Sequence, residues 1–138
     1  MSGVRLLDRK ESTAEFLNTA HELEILTIKI SMRENAIPKR YRYTLGQPLM
    51  TSARMLNQYI TYANGIYPHT QEEYQQRRKY QIRAAVEMKN LWELMRIASE
   101  LLPIKDTVLT EWAQKAYLEE NVLRKWMQAD KQRYKDLP

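Results

Sequence analysis

An all-α fold, a single-domain antiparallel up-down-up-down four-helix bundle over residues 1–138, is what this sequence predicts, and three observations predict it. The composition favours helix: 3 Gly, 5 Pro and 1 Phe leave little material for a turn-rich β fold, while Leu, Ala, Met, Glu, Gln, Lys and Arg abound. Four stretches carry apolar residues at alternating spacings of three and four. Breakers fall between those stretches, at Pro38, at Asn64-Gly65 with Pro68, and at Pro103. Connections this short force successive helices antiparallel, and the length suffices for one core. That core is expected over about residues 12–130, with fraying from Lys131 to Pro138.

The first helix has Ser12 or Thr13 as its cap, and Glu15 completes a capping box with Ser12. Phe16, Ala20, Leu23, Leu26 and Ile30 form its apolar face, which Ile25 and Ile28 widen. It must end before Pro38, because the residue preceding a proline is pushed out of the α region. The second helix lies between Lys39 and Asn64; it either starts near Lys39 and kinks at Pro48, or begins at Pro48. Leu49, Ala53, Leu56, Ile60 and Ala63 make one seam, and Met55, Tyr59, Tyr62 and Ile66 a second beside it. The doubled seam is too wide for one neighbour, which points to two neighbours or to a homo-oligomer interface at Met55, Tyr59, Tyr62 and Ile66. Gly65 is expected to close this helix in a left-handed conformation.

Thr70 with Glu73 opens the third helix. Its first half, Gln71 to Arg83, is polar. Its second half carries Ala84, Met88, Leu91, Met95, Ala98 and Leu102 on one stripe and Leu94, Ile97 and Leu101 on another, so it should be the most buried helix. Lys89, Glu93, Arg96 and Glu100 supply its one charged line. Asp106 or Thr107 caps the fourth helix, with Leu109, Trp112, Ala116, Leu123 and Met127 inward. Glu119-Glu120 interrupts that pattern and reads as a solvated face.

Several kinds of chemistry lack their residues. With no cysteine there is no disulfide framework, thiolate metal site or cysteine nucleophile. His21 and His69 stand without ligand spacing, and the Glu-x-x-His signature of bundle di-metal sites is missing. Gly46 alone makes no phosphate loop, and Ser31, Ser52 and Ser99 have no histidine at a visible spacing. The expectation is a non-enzyme with no catalytic residue, cofactor or metal. No apolar run approaches the roughly 18–20 residues that span a bilayer, and Met1 to Lys10 lacks a signal-peptide core, so a cytoplasmic protein without a membrane partner is expected.

Charge points further. Between Ile37 and Ile66 the basic residues Lys39, Arg40, Arg42 and Arg54 stand with no acidic one, so most of the net charge of +5 sits there. Lys39, Arg40 and Arg42 alternate with tyrosines, as do Arg77, Arg78, Lys79 and Arg83 around Tyr80. Arginine grips phosphate bidentately and tyrosine stacks on bases, so these seven cations form a candidate nucleic-acid surface. The alternative is that the arginines pair with Glu72, Glu73 or first-helix carboxylates while the tyrosines pack helix ends.

The strings Ile37-Pro-Lys-Arg-Tyr-Arg-Tyr-Thr-Leu45, Ala63-Asn-Gly-Ile-Tyr-Pro68, Arg77-Arg-Lys-Tyr-Gln81 and Trp126-Met-Gln-Ala-Asp-Lys-Gln-Arg133 carry a resemblance. From about Phe16 to Tyr134 the chain resembles the accessory variability determinant (Avd) proteins of diversity-generating retroelements, relatives of the 23S rRNA intervening-sequence four-helix-bundle proteins. The resemblance implies a homopentamer of four-helix bundles with a positive surface and no catalytic centre. It also implies two partners: the element's reverse transcriptase, and RNA or DNA during mutagenic cDNA synthesis. The rival readings are an rRNA-associated bundle without a polymerase partner and a purely structural or interaction bundle.

Overall fold

The computed structural model describes the backbone of residues 15–138 and the side chains of residues 17–138. The expected cap at Ser12 or Thr13 with Glu15, and the side chain of Phe16, lie outside the described residues. Four helices follow one another: α1 (Glu15–Ser31), α2 (Gln47–Asn64), α3 (Gln71–Leu101) and α4 (Asp106–Arg133). No strand occurs among the described residues. Each helix packs on its sequence neighbour and α4 returns to α1, which closes the antiparallel bundle.

Alternating three- and four-residue spacings put one stripe of each helix inside. Leu23, Leu26 and Ile30 of α1, Leu49, Ala53, Leu56, Ile60 and Ala63 of α2, and Ala84, Met88, Leu91, Met95 and Ala98 of α3 all lie in one buried cluster. Trp112, Ala116 and Leu123 of α4 complete it. Cross-helix hydrogen bonds fix the levels. Trp112 Nε1 donates to Thr27 Oγ1 at 3.0 Å, and Ser52 Oγ donates to the Glu87 carbonyl at 3.1 Å. Leu91 is fully buried at the centre of the α3 stripe. Leu91→Ala is therefore expected to cost on the order of 2–5 kcal/mol, since the lost transfer energy is joined by an unfilled cavity. An unfolding midpoint in urea close to that of the parent chain would contradict this register of α3.

Several local expectations need correction. Ile25 is 40% exposed and its place inside is taken by Thr27, because the α1 stripe is narrower than composition suggests. Leu101, at 55% exposure, Ile97 and Val86 face outward, so α3 buries one stripe and is not apolar all round. Gly65 has φ −76°, an ordinary right-handed conformation, and its N–H simply continues the last turn to Thr61 and Tyr62 carbonyls. Lys105, not Asp106 or Thr107, occupies the cap position of α4, with no side-chain cap bond. At α3 the Thr70 hydroxyl accepts from Glu73 N–H as expected, while the Glu73 carboxylate reaches His69 N–H at 2.7 Å. The chain beyond Arg133 is held: the Gln71 side-chain amide donates to the Tyr134 carbonyl at 2.7 Å and its backbone N–H to that of Pro138.

The entry to α2 reconciles the two starts that Pro48 leaves open. Helical backbone begins with a 3-10 turn at Lys39–Tyr41, widens into a π turn at Arg42–Gly46, and becomes α only at Gln47. A proline ring supplies no N–H and crowds the carbonyl four residues back, in this helix that of Thr44. A wider turn at that level gives the ring room.

Candidate nucleic-acid interface

The segment leading into α2 presents its cations outward. Pro38, in an extended conformation, starts the 3-10 turn, and Tyr41 N–H closes it on the Pro38 carbonyl. Lys39 and Arg40 are exposed, Arg42 is half-buried, and Tyr43 is 79% exposed. The Arg40 guanidinium lies 5.4 Å from the centroid of the Tyr41 ring. Glu34 spends its carboxylate on the Lys39 backbone N–H at 3.1 Å. Among the described residues no carboxylate pairs with the side chains of Lys39, Arg40 or Arg42. Arg54, the fourth cation of this region, does pair with first-helix Glu24, at 3.2 Å. Pairing thus accounts for Arg54 and leaves the other three facing solvent or packed on tyrosine.

The second group of cations divides differently. Arg77 is only 4% exposed and leaves the surface set altogether. Its Nε donates to Asp130 Oδ2 at 2.6 Å, Nη2 to Asp130 Oδ1 at 3.2 Å, and Nη1 to the Ile66 carbonyl at 2.8 Å. Trp126 and Tyr134 rings lie 5.0 and 5.5 Å from its guanidinium carbon. Gln81 Nε2 adds a third donor to Asp130, at 2.8 Å. This is a buried, multiply satisfied ion pair joining α3 to α4, with no reach to a phosphate. Arg78 is half-buried, whereas Lys79 and Arg83 are exposed, the latter 5.9 Å from the Tyr80 ring centroid.

The two cation groups do not meet. Tyr80 stacks on Tyr59 near the end of α2, while Lys39, Arg40 and Arg42 precede its start. The 18 residues of α2 rise about 27 Å, so the groups occupy opposite ends of the bundle. Arg78 instead joins cations that lie outside both tyrosine-bearing runs: Lys89, Arg124 and Lys131 surround a hollow between α3 and α4 together with it. Their spacing carries a signal. Lys89 follows Arg78 by three helical turns and Lys131 follows Arg124 by two, so each pair shares a face.

The residues expected at an oligomer interface are partly engaged within the chain itself. Met55, Tyr59 and Ile66 are half-buried, and only Tyr62 is largely exposed. Tyr59 and Tyr62 both pack on Tyr80, with ring centroids 6.4 and 5.5 Å away. Flanked by α1 on one side and α3 on the other, α2 uses its doubled seam within one chain.

One buried carboxyl lies where the sequence pattern does not put it. Glu119, which the sequence pattern puts in a solvated pair, is fully buried between α1 and α4. Its Oε1 accepts from the Thr19 hydroxyl at 2.5 Å, and Oε2 has no hydrogen-bond partner. Burial pushes its carboxyl up to about 8, against a smaller lowering by the Thr19 hydrogen bond. His21 and His69 are exposed, and no group of three or more candidate metal ligands occurs among the described residues.

Fold and surface together define a class, an antiparallel four-helix bundle with exposed cation–tyrosine clusters. Compared with protein-family models, curated proteins and solved structures, the chain finds no match in any of the three.

Proposed function

We propose that this chain is an Avd-like accessory protein of a diversity-generating retroelement, a non-catalytic bundle that binds nucleic acid and a reverse transcriptase during mutagenic cDNA synthesis. The observation that carries the nucleic-acid part is the run Lys39, Arg40, Arg42 with Tyr43 at one end of the bundle, exposed or half-exposed and paired with no carboxylate among the described residues. The polymerase partner and the homopentamer rest on the four sequence strings, and the cytoplasmic location on the lack of a spanning run or signal-peptide core in the sequence. A ring of subunits would repeat the patch, so a modest charge per chain could build a strong field.

Contacts of this kind are mainly to phosphate, because no side-chain set in the patch is shaped for base edges. Binding is then weakly sequence-specific, and log affinity falls linearly with log salt, by about 0.7–0.9 per phosphate neutralised. Replacing Lys39, Arg40 and Arg42 together by Gln should flatten that slope for a structured RNA while far-UV circular dichroism and light-scattering mass stay unchanged. An unaltered slope in a folded triple variant would remove the patch from the interface. Failure of the chain to co-elute with the reverse transcriptase of a diversity-generating retroelement would remove the polymerase role and favour an rRNA-associated or purely structural bundle.

A further inference from the structure

Along the seam between α3 and α4 the bundle stays open to solvent. The cross-helix hydrogen bonds of this seam gather at one end, around Asp130. Next to that cluster lies a hollow of about 360 Å³, with Ala85, Met88, Leu123 and Met127 among its apolar lining. Its charged lining is one-sided: Arg78, Lys89, Arg124 and Lys131 against the single carboxylate of Glu120. Further along, a second hollow of about 530 Å³ opens beside Trp92, where Tyr117 and Leu118 of α4 are 61% and 44% exposed. Antiparallel packing sets the two hollows on one line, because Arg78 lies with Lys131 in the first and Trp92 with Tyr117 in the second. On α3 the stretch from Arg78 to Trp92 rises about 21 Å, close to four turns of a guest helix.

We propose that this groove is a docking site for an amphipathic α-helix of a partner protein, one whose apolar stripe is flanked by Asp and Glu. The floor and the rim select together. Met127, half-buried at the hollow, is unbranched and polarisable, so it adapts to the side chains of an inserted stripe. Arginine and lysine stems extend the apolar floor while their heads stay in water, where carboxylates of the guest reach them. A nucleic acid would satisfy the rim but leave the apolar surface at Met127 and Leu118 wet. The groove runs along the α3–α4 seam, whereas Lys39, Arg40 and Arg42 precede α2, so it shares no residue with that nucleic-acid patch and stands or falls separately from it.

The test uses the full chain and a fluorescein-labelled helical peptide of about 18 residues, with Leu at i, i+3, i+4 and i+7 and Glu beside that stripe. Two controls share its length: one with every Glu replaced by Lys, and one with the acidic sequence scrambled to remove the stripe. By fluorescence anisotropy the acidic amphipath should bind at least about ten-fold more tightly than either control. Combined Lys89→Gln, Arg124→Gln and Lys131→Gln should weaken it by a similar factor and reduce its salt dependence, and Met127→Glu should abolish it. If Met127→Glu fails to fold, the triple rim variant decides alone. Equal binding of all three peptides, or none, overturns the proposal. So does a change in oligomer mass in folded Met127→Glu, which makes the groove a self-interface. Displacement of the peptide by a structured RNA whose own binding is lost in the triple rim variant also overturns it, making the rim a polyanion surface.

Discussion

Asp130→Ala is expected to destabilise the protein by about 3–5 kcal/mol, because it strands the Arg77 guanidinium inside the bundle without a counter-ion. Asp130 is fully buried and Arg77 nearly so, and the carboxylate takes two hydrogen bonds from the guanidinium and one from Gln81. Removing it leaves those donors facing a void between α3 and α4. Arg77→Met alone should also be costly, since it isolates a buried carboxylate. The double variant Arg77→Met, Asp130→Leu should recover much of the loss, because two apolar side chains of similar size need no desolvation of charge. Urea unfolding of the parent, Arg77→Met, Asp130→Leu and the double variant measures the coupling. A loss below about 1 kcal/mol in Asp130→Ala would mean that the pair contributes no more than a surface salt bridge. A reduced affinity for RNA in an Arg77 variant would, on this geometry, report lost structure near the Ile66 loop and not a lost phosphate contact.

Glu119 should make stability fall as pH rises through neutrality. Its carboxyl titrates near 8 in the folded chain, against an ordinary value near 4.5, because burial disfavours the charged form. Below about 4.5 it is neutral folded or unfolded and carries no penalty. Between those values the folded state holds a proton that the unfolded state has released, so stability drops with pH; above about 8 the loss is complete. Across the window the loss is on the order of 3–5 kcal/mol, and it is set by a charge with one orphan oxygen at the α1–α4 seam. The Glu22–Lys115 pair, at 2.6 Å one turn away, is partly exposed. Glu119→Gln keeps the acceptor for the Thr19 hydroxyl and removes the titration, so it should be more stable than the parent at pH 8 and flatten the profile between pH 5 and 8. Parallel profiles for the two proteins would place the titration elsewhere.

Much of the bundle is legible in the sequence because burial in a helix follows its period. The three-four spacing locates the inward stripes of α1, α2 and the second half of α3, and the breakers locate the loops. The same rule, applied without regard to polarity, reaches further. Tyr74, Arg77, Gln81, Ala84, Met88, Leu91, Met95, Ala98 and Leu102 hold one three-four register through the polar half of α3 and beyond it. Trp112, Ala116, Glu119, Leu123, Trp126 and Asp130 do the same in α4, where a purely apolar pattern breaks off at Glu119.

By itself the sequence determined the helical class, the number of helices, their seams and the absence of cysteine chemistry, because propensity and periodicity act over neighbouring residues. Only the tertiary structure decided which charges are inside, since that depends on partners far along the chain. Arg77 is withdrawn from the surface by Asp130, 53 residues away, and Glu119 is received by Thr19 at a separation of 100. It also decided that the two basic runs lie at opposite ends of α2, and that Arg78 shares a groove with Lys89, Arg124 and Lys131. A buried charge is tolerated only where the fold brings it a partner or a proton, and no local pattern of residue types contains that information.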